Sequence, residues 1–111
     1  MTISLQQRLN IRTQVFKALA HPSRLIIVEA LSTHSRCVSE LTDLIGSDVS
    51  TVSRHLSVLK NAGVVRDEKR KLQVYYSLAM PCVLGFFSCI EQVAHESAES
   101  DLNLTRESIE H

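Results

Sequence analysis

Ser47-Asp48-Val49-Ser50-Thr51-Val52-Ser53-Arg54-His55-Leu56-Ser57-Val58-Leu59-Lys60-Asn61-Ala62-Gly63 is the stretch that decides how this chain folds. Ser47 and Asp48 are residue types whose side-chain oxygens accept the unpaired N–H groups that open a helix. Behind them Val49, Val52, Leu56 and Leu59 recur at helical spacing. Asn61-Ala62-Gly63 supplies the stop. At about 100° per residue, Ser50, Thr51, Arg54 and Ser57 fall on the face opposite the apolar stripe, polar and available.

Immediately upstream, Val38, Leu41, Leu44 and Ile45 describe a shorter helix, and Gly46 ends it in the left-handed conformation. The two elements together read as helix, tight turn, helix. Residues 5–19 place Leu5, Leu9, Val15, Phe16 and Leu19 at mostly helical spacing among polar residues, an amphipathic first helix. Pro22 sits where a second helix opens, because proline lacks only an N–H that the first turn leaves unpaired. Leu25, Ile26, Val28 and Leu31 carry that helix to about Ser32.

Downstream, Val64-Val65-Arg66 and the stretch from Leu72 to Leu78 are β-branched and aromatic, and they flank the charged run Asp67-Glu68-Lys69-Arg70-Lys71. Two antiparallel strands with a basic tip are expected. Pro81 opens a segment from Cys82 to Ala94 that is apolar on nearly every side. A small domain cannot easily wrap such a helix, so part of its surface is expected in an intermolecular interface. The fold class that follows is mainly α with a β-hairpin wing (α+β), in the order α-α-α-α-β-β-α. Residues 1–96 are expected to form the domain and residues 97–111 an acidic, flexible tail.

The chain has 111 residues, of which 44% are hydrophobic and 22% charged, a composition that fits one globular domain and excludes a collagen-like or disordered chain. No apolar run approaches the roughly 20 residues needed to span a bilayer, and no apolar signal core opens the sequence. A cytoplasmic location and no membrane partner are expected. Three cysteines at irregular spacing do not close a disulfide framework and are expected as free thiols or ligands.

The net charge of zero hides an asymmetry. Between residues 54 and 76, Arg54, Lys60, Arg66, Lys69, Arg70 and Lys71 oppose only Asp67 and Glu68, leaving +4. Residues 91–111 carry six carboxylates against Arg106 alone, leaving −5. The first zone suits phosphate and the second does not.

A helix-turn-helix followed by a wing has a direct use. The second helix fits the major groove of DNA, where small polar side chains and an arginine reach base edges. A polar helix face or a charged hairpin tip, taken alone, is ordinary solvated surface. Here both converge on one side of the same unit. Ser50, Thr51, Arg54, His55 and Ser57 are therefore the candidates on the helix, with Arg54 aimed at guanine. Lys69, Arg70 and Lys71 are the candidates on the wing, contacting phosphates or the minor groove of double-stranded operator DNA.

Four motifs occur in one order: Val15-Phe16-Lys17-Ala18-Leu19-Ala20-His21-Pro22-Ser23-Arg24-Leu25, then Cys37-Val38-Ser39-Glu40-Leu41, then Ser50-Thr51-Val52-Ser53-Arg54-His55-Leu56, then Tyr75-Tyr76-Ser77-Leu78. Over about residues 12–95 the chain resembles the ArsR (ArsR/SmtB-type) family of winged-helix metalloregulatory repressors. The resemblance implies a homodimer built by the first and last helices, bound to operator DNA and released by an inducer.

The family's effector sites carry over only in part. The arsenic-sensing branch opens its third helix with Cys-Val-Cys, and here Cys37 is followed by Ser39, so one thiolate is missing. The zinc-sensing branch uses an Asp-x-His pair on the last helix, and residues 80–95 hold none; His95-Glu96 is its only vestige. What the last helix holds is Cys82 and Cys89. Soft thiolates select arsenite or antimonite, and also cadmium or mercury, so a thiophilic metal or metalloid ion is the expected inducer and no organic cofactor is expected.

Seven residues separate the two sulfurs by about 10 Å along a helix, against about 4 Å for sulfurs sharing an ion. Either Cys82 lies in a turn before the helix, or Cys82 of one subunit meets Cys89 of the other. Cys37 and Cys82 both stand near helix N-termini, which favour thiolate. The plainer reading is that cysteines are small buried hydrophobes, with Cys89 among Phe86, Phe87 and Ile90. His21, His34, His95 and His111 make no ligand spacing and read as surface residues.

Two further functions compete. On the same scaffold, paired thiols could form a disulfide or persulfide, giving a redox repressor. A non-DNA-binding interaction domain or an enzyme is the third. The sequence shows no phosphate loop, metal-hydrolase motif or nucleophile with base and acid, so no enzyme is expected.

Overall fold

The structure, a computed structural model, describes residues 2–104. Helix α1 spans Leu5–Leu19 and opens on a reciprocal cap: Ser4 Oγ accepts the Gln7 N–H and Gln7 Oε1 accepts the Ser4 N–H. Helix α2 is Pro22–Ala30, with proline in the first turn as its chemistry requires. A two-residue strand β1, Arg36–Cys37, leads into α3, Val38–Ile45. Gly46 stops α3 with φ 80°, and its N–H returns to the Thr42 carbonyl. Helix α4 is Val49–Asn61.

Strands β2 (Val65–Arg70) and β3 (Gln73–Leu78) form the wing. They pair antiparallel from Val65↔Leu78 to Arg70↔Gln73. Strand β1 adds to the other edge of β3 through Arg36↔Tyr76 and Cys37↔Tyr75, so the sheet order is β1-β3-β2. The sequence reading missed β1, because two residues carry no alternation to detect. Its place is fixed from outside, by the Arg36 Nε donation to the Ala30 carbonyl at 2.7 Å and by the ladder to β3.

The charged run also differs from expectation. Asp67, Glu68, Lys69 and Arg70 are not a loop but the last four residues of β2, and the turn is only Lys71-Leu72. Ladder bonds and cross-strand pairs override the low strand propensity of charged side chains.

Residues up to Pro81 form one compact unit, and α5, Cys82–Leu104, belongs to a second. Within the first unit Ile27 and Val28 of α2, Leu41 of α3, and Val52, Leu56 and Leu59 of α4 have no solvent exposure. Burying such side chains contributes about 1.5–3 kcal/mol each. In α5, Ile90 and Val93 are exposed. The helix runs past Glu96, the expected end of the domain, to Leu104; residues 105–111 of the expected tail lie outside the described residues. Among the described residues no helix is long and apolar enough to cross a membrane.

Candidate nucleic-acid interface

Helix α4 sorts its side chains by face as the sequence pattern requires. Val52, Leu56 and Leu59 point into the core, whereas Ser50, Arg54 and Ser57 are exposed and Thr51 is half-buried. The N-cap organises the leading end. Asp48 Oδ1 accepts the Thr51 N–H at 2.7 Å and the Ser50 hydroxyl at 3.2 Å. These bonds, those to Thr51 foremost, hold the Asp48 carboxyl below its ordinary range, with a smaller contribution from the Arg54 charge. Asp48 thus fixes the two small polar residues next to Arg54.

His55 is placed differently from its neighbours. Its ring lies against His21, with centroids 4.4 Å apart and planes tilted by 46°. Burial lowers its pKa, and the charges of His21, Arg24 and Arg54 lower it further, all favouring the uncharged ring. His21 in turn caps α2, its Nδ1 accepting the Ser23 N–H at 3.1 Å. Neither ring is simple surface. The sequence makes His55 a DNA-contact candidate within the second helix of the pair; its ring also ties α4 to the start of α2. Arg24 belongs to the same neighbourhood, and its Nε is buried without a hydrogen-bond partner.

The wing cations divide into two groups. Lys60 of α4 pairs with Asp67 at 2.9 Å, which raises the lysine pKa. Arg70 pairs with Glu68 and lies over the Tyr75 ring, 4.7 Å from its centroid. Arg54, Arg66, Lys69 and Lys71 are exposed, and among the described residues none of them forms an ion pair. Arg66 was counted in the basic zone but not as a site residue. Alternation carried through the charged run would have placed it on the outer strand face with Glu68 and Arg70.

The three cysteines occupy two settings. Cys37 is buried at the N-cap of α3, where its thiol donates to Glu40 Oε1 at 3.2 Å and sits 3.1 Å from Ser39 Oγ. Glu40 also accepts the Cys37 N–H, and these two bonds, the backbone one first, hold its carboxyl below the usual range. The expected reactive thiol at this helix start is therefore a hydrogen-bond donor to a carboxylate. Cys82 and Cys89 are exposed on α5. Cys82 is the first helical residue, so a turn before the helix does not bring it to Cys89. Among the described residues no three His, Cys, Asp or Glu side chains converge as a metal site.

The segment from α2 through α4 to the first three residues of β2 matches a known family model: residues 21–67 match the bacterial regulatory protein, arsR family. Over 90% of its length the chain superposes on 99% of the crystal structure of Rv0081 from Mycobacterium tuberculosis, with a TM-score of 0.74 and 30% identity. The chain belongs to the ArsR family. Two other proteins extend the likeness. A homodimeric winged helix-turn-helix DNA-binding domain from Mycobacterium bovis, described as a possible ArsR-family transcriptional regulator, aligns with a TM-score of 0.76 and 29% identity, covering 90% of this chain and 93% of that one. The HTH-type transcriptional repressor SmtB of Mycobacterium tuberculosis is 44% identical over 66 residues, 60% of this chain and 49% of the repressor. The match thus spans about half the length of that relative. ArsR-family proteins of this kind are transcriptional regulators, not enzymes.

Proposed function

We propose that this ArsR-family chain is a homodimeric, DNA-binding transcriptional repressor, released from its operator when a thiophilic metal or metalloid binds cysteine thiolates. The observation that carries the DNA half is the exposed face of α4, Ser50, Arg54 and Ser57, ordered by the Asp48 cap beside a wing whose Lys69 and Lys71 carry no ion pair among the described residues. Arg54 reads a guanine edge, Ser50, Thr51 and Ser57 contact neighbouring base edges or phosphates, and Lys69 and Lys71 neutralise the backbone. Arg70, held by Glu68 and Tyr75, and His55, held against His21, reach phosphates from braced positions.

For the inducer, arsenite or antimonite is the best match to the sulfur donors, with cadmium and mercury next. Cys82 and Cys89 are exposed on one face of α5, seven residues apart, too far to share an ion within one helix. A second subunit presenting its own pair closes that gap and ties ligand binding to dimer shape, which is the coupling a repressor uses. Cys37, spent on Glu40, is the weakest of the three ligands proposed. A specific observation favours one other reading: two exposed free thiols and, among the described residues, no three-ligand cluster also suit a disulfide- or persulfide-forming redox repressor.

The test is fluorescence anisotropy of reduced protein on operator DNA, titrated with arsenite, cadmium and zinc. Release by a thiophilic ion that Cys82→Ser and Cys89→Ser abolish is expected. Binding that no ion disturbs, but a persulfide donor relieves, replaces the metal by the redox reading, and salt-insensitive or absent DNA binding rejects both.

A further inference from the structure

The tip of the β2–β3 hairpin is built against its own local preferences. Its two-residue turn, Lys71-Leu72, joins the Arg70↔Gln73 pair. Lys71 has φ 56°, and among the described residues it is the only non-glycine residue with positive φ. Two-residue hairpin turns ordinarily place Gly, Asn or Asp where φ is positive, because a longer side chain crowds the backbone there. Leu72 is 97% exposed, more than any other large apolar side chain among the described residues. Each residue is the opposite of what a solvated turn selects, and an unfavourable local conformation kept at an exposed position points to a use.

The surroundings narrow that use. Arg70 is anchored by Glu68 and the Tyr75 ring, so the strand end that carries the turn is braced. Lys69 and Lys71 on either side are exposed and, among the described residues, unpaired. The tip therefore offers one apolar group next to free cations, Lys71 directly before it and Lys69 two residues further back on β2. An apolar protein surface would leave both ammonium groups without counter-charge. A DNA minor groove matches instead: its rims are phosphates, and apolar side chains inserted between its base steps part them.

We propose that Leu72 is a minor-groove wedge, held between phosphates by Lys69 and Lys71, which biases the protein toward the easily unstacked T·A steps. The inference rests on the DNA-binding reading above and adds a specificity residue outside α4.

The experiment compares wild type, Leu72→Asn and Arg54→Ala on operator duplexes identical except for a T·A or a G·C step in the minor-groove flank that the wing tip meets, each across a salt series. Wild type is expected to favour the T·A duplex. Leu72→Asn is expected to lose roughly threefold to tenfold affinity on T·A and little on G·C. Its slope of log affinity against log salt stays that of wild type, since no charge is removed. Its melting temperature also stays at the wild-type value, which separates the effect from misfolding. Unchanged affinity on T·A, or an equal loss on both duplexes, overturns the wedge while wild-type binding and the Arg54→Ala loss leave the parent reading standing. A wild type that binds neither duplex removes the parent reading and the wedge together.

Discussion

His55 links the DNA-facing helix to the cap of α2, and its charge state is part of that link. The folded protein favours the neutral ring, chiefly by burial and then by the charges of His21, Arg24 and Arg54. As pH falls below the ordinary value of 6.5, the unfolded chain takes up a proton that the folded chain resists, so stability declines until pH passes the lowered folded pKa. His55→Gln is expected to flatten that decline, measured as urea midpoints between about pH 7.5 and 5.5. Identical pH slopes for the two proteins would show that the ring contact is not what resists protonation. At Asp48 the sign is that of a carboxylate with depressed pKa, whose stabilisation is present above 3.8 and lost as pH falls through the folded value. Asp48→Ala is expected to lower the melting temperature and weaken DNA binding through disordered Ser50 and Thr51, whereas Asp48→Asn retains the cap. Equal DNA affinity in Asp48→Ala would detach the cap from the interface. The cap was legible in the sequence because N-cap chemistry is local. The His21–His55 contact was not, since 34 positions separate two residues whose meeting depends on how α2 crosses α4.

Helix α4 carries core on one face and the proposed interface on the other. Leu56 has no exposure, so Leu56→Ala is expected to cost about 2–5 kcal/mol in denaturant unfolding, by lost transfer energy and the cavity left behind. A loss below about 1 kcal/mol would mean that α1 to α4 do not share one packed core. On the other face, Arg54→Ala is expected to cost about 1–3 kcal/mol of operator affinity and to relax base preference. Lys69→Ala and Lys71→Ala should instead weaken all sequences alike and each reduce the salt slope by about one. A uniform loss from Arg54→Ala would reassign it to phosphate. The helix-turn-helix could be read in advance because capping residues, a periodic apolar stripe and a glycine stop agree over seventeen consecutive residues. The wing was read only in outline. Strand β1 and the charged end of β2 are strands by virtue of what β3 offers them, a non-local cause that composition does not record.

At the scale of the whole molecule, the apolar segment after Pro81 was recognised from composition as one helix with surface left over for a partner. Its length beyond Glu96 was not, because acidic polar residues carry no apolar stripe to extend. In the proposed dimer the decisive question is whether an inducer is held by Cys82 and Cys89 of one chain or of two. Their separation along α5, about 10 Å for seven residues, leaves the pair unable to chelate within a straight helix, which favours sulfurs from different chains in the proposed site. Subunit mixing tests this directly. Homodimers of Cys82→Ser and of Cys89→Ser each lack one half of every pair and are expected to stay on DNA when arsenite is added. After the two variants are unfolded and refolded together, a heterodimer contains one intact Cys82 in one chain and one intact Cys89 in the other. If the pair forms between chains, one of two sites is rebuilt, and arsenite should restore release and ultraviolet thiolate-to-metalloid absorption in the mixture to roughly a quarter of the wild-type signal, half the dimers being mixed and each holding half the sites. If the pair forms within a chain, no arrangement of the two variants recreates it, and the mixture remains as unresponsive as either parent.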